Sequence, residues 1–146
     1  MGFINRFLAP RDEAVPARDV QVLTLAPAVM RMSIAGKDAT TELDALAAAV
    51  AKLRFPDGFS AERVYAAATE LVRLIKTGGV AGLTDKMKSD LTPDERSDAM
   101  RLALAAVFCL PIRDNGDIGI LAGMAEQIDM DAAAFEALFE EAKALD

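Results

Sequence analysis

The run Asp114-Asn115-Gly116-Asp117 offers oxygen ligands around a glycine, a composition suited to a hard divalent cation. Set on a calcium loop with Gly116 at its sixth position, however, the sequence puts Pro111 first, Arg113 third and Ala122 twelfth, where the first and last must be carboxylates. The same residues make a helix entry, Gly116 supplying a positive φ and Asp117 sitting at the positive end of the helix that follows. Asp114, Asn115 and Asp117 are thus candidates for a weak divalent-cation site at best, with an affinity on the order of 10⁻⁴–10⁻³ M. Other chemistry is excluded more firmly. The chain has no His, which removes imidazole bases, His-ligated metals and Ser-His or Cys-His nucleophile pairs within it. Its single Cys rules out an internal disulfide and a Cys-rich zinc site, and Cys109 lies in the apolar run 102–110, where it reads as a small buried hydrophobe. Gly78-Gly79-Val80-Ala81-Gly82 lacks the Lys-Ser or Lys-Thr of a phosphate loop and reads as a linker. Carboxylate pairs within a helical turn fall on faces that read as solvated, so no catalytic residue, cofactor or enzymatic activity is expected.

Charge is unevenly placed along the chain. Residues 114–146 carry nine acids and one base, whereas residues 1–113 are nearly balanced, within a total of −7. Glu136, Glu140 and Glu141 are therefore expected to form part of an acidic face that meets a basic protein segment. Such a face repels nucleic-acid backbones and anionic membrane surfaces. The short patch Phe3, Ile4, Phe7 and Leu8 is expected to dock on its own bundle, or to engage a partner or a membrane surface, though it is too short to hold a bilayer alone. No apolar stretch approaches the roughly 18–20 residues that cross a membrane. The amino end also lacks the apolar region of a secretory signal, so the cytoplasm is the expected location.

The elements that must position these groups are helices. The 146 residues suit one domain, residues 19–146, behind an amino-terminal arm over 1–18. Apolar positions recur three and four apart, and no segment alternates as a half-buried strand does, so the chain reads as all-α, one compact bundle of about seven helices. The first helix runs from about Asp19 to Ala35, bent by Pro27 and capped by Gly36. A second starts after Thr40 or Thr41 with a Thr41/Asp44 capping box and is stopped by Pro56-Asp57-Gly58. Ser60 caps a third, which ends at Gly78-Gly79, and a short fourth covers 80–89. Thr92-Pro93-Asp94-Glu95 is a complete start signal for a fifth, which is apolar nearly all round and belongs at the centre, with Val107 and Phe108 buried. Asp117 opens a sixth helix, and Asp131 caps a seventh.

When Gly36 is set against Gly116, each half shows an apolar helix, a glycine turn and a second helix. The arrangement over residues 20–145 resembles the TerB-like family of helical proteins associated with bacterial tellurite resistance. Asn115-Gly116-Asp117-Ile118 stands at that family's turn, followed by Leu121, Ala125 and Ile128, and Met130 to Phe135 match the step into the last helix. In the amino half Ala35-Gly36-Lys37 occupies the turn, and Glu42 stands where the motif acid belongs. Ala35 and Asn115 replace the turn Asp, and Ala122 replaces the second acid, so the acidic set is incomplete in both halves. The resemblance implies a cytoplasmic stress-response adaptor acting through protein contacts, including a membrane-associated partner. Divalent-metal binding or sensing is the alternative it carries.

Overall fold

The structure is a computed structural model that describes residues 20–36, 38–55 and 59–145. The apolar patch at 3–8 and the Pro56-Asp57-Gly58 turn lie outside the described residues. Among the described residues there are seven helical segments: α1 (Val20–Leu23), α2 (Ala26–Ala35), α3 (Ala39–Leu53), α4 (Ala61–Asp90), α5 (Pro93–Phe108), α6 (Asn115–Gln127) and α7 (Ala132–Lys143). No strand occurs among the described residues. The chain is all-α, as the periodicity requires.

Local chemistry sets most of the boundaries. Thr92 and Glu95 form the reciprocal capping box, the Glu95 amide donating to Thr92 Oγ1 at 3.2 Å and the Thr92 amide to Glu95 Oε1 at 2.8 Å. Ser60 and Asp131 accept from Arg63 N and Ala134 N at the starts of α4 and α7. Gly36, at φ 66°, closes α2 with its amide on the Met32 carbonyl. Gly79, at φ 76° and ψ 171°, is non-helical and divides α4 into two helices that meet at a kink, as the glycine pair requires.

Four expectations need correction. The first helix breaks at Thr24-Leu25 into α1 and α2, because Pro27 sits in the opening turn of α2, where its missing amide costs nothing. The cap of α3 is Asp38 instead of Thr41, and the Thr41 amide and hydroxyl both donate to Asp38 Oδ2. Those bonds from Thr41, the hydroxyl's foremost, hold the Asp38 carboxyl below its ordinary pKa. Gly116 is helical and α6 is capped by Asp114, not opened by Asp117. Gly is nevertheless suited to position 116, since a Cβ there would stand 2.9 Å from the capping oxygen of Asp114. Phe108 and Cys109 are half-buried at the end of α5, while Val107 is 1% exposed. At that end the helix borders a hollow, and the Phe108 ring is met by Phe139 at 5.8 Å between centroids and by the Arg113 guanidinium.

The core is continuous. α5 lies at the centre against α2, α3, α6 and α7, which accounts for its unbroken buried run from Leu102 to Val107. α4 closes the far side of α2 and α3. Between α3 and α4 the Tyr65 hydroxyl donates to Asp44, and this bond raises the Tyr65 pKa above its ordinary value. The bond therefore stabilises the fold below the unfolded phenol pKa, and the contribution is lost as pH rises through the raised one. Tyr65 is the chain's one Tyr, and the chain has no Trp. Ultraviolet titration is expected to give a phenol midpoint above about 10 that falls towards the unperturbed value in Asp44→Asn; an unshifted midpoint in the native protein would remove the bond.

Candidate functional site

Arg31 is the lone charged residue between Val20 and Ala35, on a segment whose buried residues are otherwise apolar except for Thr24. It is 2% exposed, and an unpaired charge at that depth would be prohibitively costly. Two carboxylates meet it. Arg31 Nη1 donates to Asp117 Oδ1 at 2.7 Å, and Nη2 donates to Glu42 Oε1. Glu42 and Asp117 are 3% and 1% exposed, so the cluster is sealed inside the bundle. Glu42 lies in the first turn of α3 and Asp117 in the first turn of α6, each behind an Asp cap, and each first turn complements its helix dipole. The acids at the starts of two corresponding helices thus converge on one guanidinium. Arg31 Nε has no hydrogen-bond partner among the described residues.

This geometry disperses the candidate cation ligands. Asp117 points inward to Arg31, whereas Asp114 Oδ1 accepts from the amides of Gly116 at 2.7 Å and Asp117 at 3.2 Å. Asn115 is exposed as the first residue of α6. Among the described residues no group of three His, Cys, Asp or Glu is placed to hold a metal ion. Calorimetric titration with calcium, magnesium, manganese and zinc is expected to give no stoichiometric micromolar binding. A site of that strength lost in Asp114→Asn would contradict the assignment of Asp114 to its cap.

The acidic carboxyl-terminal face is built differently from the expectation. Glu136 and Glu140 line a groove of about 380 Å³ between α6 and α7, and Glu126, outside the acidic set expected from the sequence, joins them from α6. Half-buried Ile118, Ala122, Met130, Phe135 and Phe139 supply its apolar surface. Glu141 does not line this groove. Its Oε2 accepts from Arg101 Nε at 2.5 Å across the α5/α7 contact, and Asp98 also pairs with Arg101. Burial lowers the Arg101 pKa, but Glu141 and Asp98 outweigh it and leave the guanidinium above its ordinary value.

Ile118 and Phe139 continue from this groove into a second hollow of about 420 Å³. There Phe108 and Phe139 are flanked by Arg113 and Lys143, each cation lying over a ring, at 5.0 and 5.3 Å from the centroids. The combined surface is apolar along its length, acidic towards Glu126 and Glu136 and basic towards Arg113. A signal for Glu126 was present in the chain: it lies one and four residues from Ala125 and Ala122, so it borders the stripe of α6 that faces α7. Comparison with protein-family models, curated proteins and solved structures gives no match for this chain.

Proposed function

We propose that the protein is a non-enzymatic helical adaptor whose α6/α7 groove takes a basic amphipathic segment of a partner protein. The observation that carries this reading is the pairing of an apolar strip, Ile118, Met130, Phe135 and Phe139, with Glu126, Glu136 and Glu140 beside it. An amphipathic helix lays its apolar face into such a groove, and flanking lysines or arginines set its approach and register. The resemblance of the sequence to the TerB-like family supports placing this adaptor in the cytoplasm, in a bacterial stress response of the tellurite-resistance kind. A membrane-associated protein fits as its partner, since the acidic face itself repels an anionic bilayer.

The test uses a synthetic amphipathic helix of Leu and Lys as the probe and its Leu and Glu counterpart as the control. The Lys peptide is expected to bind, with an affinity that falls as salt rises. Charge reversal of Glu126, Glu136 and Glu140 together should weaken binding and flatten the salt dependence. Glu141→Lys should leave binding nearly unchanged, because Glu141 is turned towards Arg101. Equal loss in both variants would mean that general acidity, and not the groove, attracts the peptide.

A further inference from the structure

We propose that a second groove, formed by the carboxyl end of α2, the start of α3 and the middle of α4, binds a single-chain amphiphile with a carboxylate head, of the fatty-acid class. The groove encloses about 620 Å³. Small-molecule sites commonly measure about 300–1,000 Å³ and are apolar with a few placed polar groups. Met32, Leu43, Ala68 and Val72 supply the apolar lining here, and Arg73 and Lys76 the charge.

The order of these residues along α4 gives the site a direction. Ala68, Val72 and Lys76 follow one another at helical spacing on one face, with Thr69 and Arg73 beside them, so the face passes from apolar to cationic along the helix. A ligand that is apolar at one end and anionic at the other matches this gradient. No acidic residue among those described lines the groove, so the local charge selects an anion even though the whole chain is acidic. Arg73 is already engaged by Glu70. Lys76 is exposed and has no ion-pair or hydrogen-bond partner among the described residues. Its ammonium, on a flexible four-carbon stem, is available to one monoanionic head, which it would hold through a charge-assisted hydrogen bond. The alkyl chain would then lie between α2 and α3 against Met32, Leu43 and Val72. The site shares no lining residue with the α6/α7 groove and stands apart from the adaptor reading.

Titration calorimetry of the full chain with dodecanoate below its micellar concentration tests the proposal. Saturable one-to-one binding is expected, with no binding of dodecyltrimethylammonium, the cation of equal chain length. Lys76→Glu should weaken dodecanoate binding by about tenfold or more, the loss of one charge-assisted contact. Val72→Trp should block the groove, and unchanged thermal unfolding of the Lys76 variant would show that the fold is intact. Equal binding of dodecanoate by Lys76→Glu and the native chain, or no saturable binding to the native chain, would overturn the proposal. So would binding confined to phosphatidylglycerol vesicles, which would assign the surface to a bilayer. Self-association abolished by Val72→Trp, without dodecanoate binding, would assign it to a second copy of the chain and overturn it equally.

Discussion

Arg31→Met is expected to lower the unfolding free energy by about 3–5 kcal/mol, the range for breaking a buried ion cluster by removing one partner. Met is close in length to the Arg stem, so little volume is lost. The cost comes from Glu42 and Asp117, both nearly inaccessible to water, which are left with two carboxylates and no cation. Removing all the charge together has a different outcome. A triple variant with Arg31→Met, Glu42→Leu and Asp117→Leu leaves no buried charge uncompensated, and such replacements in other proteins have been neutral to stabilising. The triple variant should therefore recover most of the stability that Arg31→Met loses. Urea unfolding monitored by circular dichroism measures both, with the midpoint of each curve as the readout. A single variant within about 1 kcal/mol of the native protein would show that the cluster is open to water.

The second large effect is expected in α5. Leu104 is fully buried on the central helix, and Leu104→Ala should cost about 2–5 kcal/mol through lost transfer energy and the cavity left behind. Phe108→Ala should cost less than Leu104→Ala despite removing a larger side chain. Phe108 is half-buried, beside a hollow already open to solvent, so its truncation leaves less enclosed void. The same unfolding curves decide the order. A larger loss at Phe108 would make the α5/α7 aromatic contact a main element of the core.

The pattern of these results follows from how far apart in the chain the interacting residues lie. The capping box at Thr92 and Glu95 was legible because both partners sit within four residues, and local hydrogen bonding settles the matter. The circumference of 99–107, apolar except for Arg101, likewise marks the central helix without reference to any neighbour. The start of α3 is ambiguous in the sequence because Asp38 and Thr41 are both good caps, and the choice between them depends on where Gly36 turns the chain. Arg31 carried a readable sign, a lone charge in an apolar helix, but its partners lie 11 and 86 residues away and only the tertiary fold selects them. The resemblance puts Glu42 on a motif but says nothing of the guanidinium it faces. On α7 the helical period alone could not tell that Glu140 borders a groove while Glu141 turns to Arg101.

The buried cluster also sets a timetable for the chain during synthesis. Translation runs from the amino end, and Asp117 emerges 86 residues after Arg31. Until then the nascent chain can bring Arg31 and Glu42 together, but the guanidinium has only one of its two counter-ions. α5, which forms the centre, also emerges before α6 and α7 cover it. The final sealed arrangement therefore waits for residues 115–143, and a chain stalled before Asp117 retains an incompletely paired cation and an uncovered central helix, both features that protein quality control can detect.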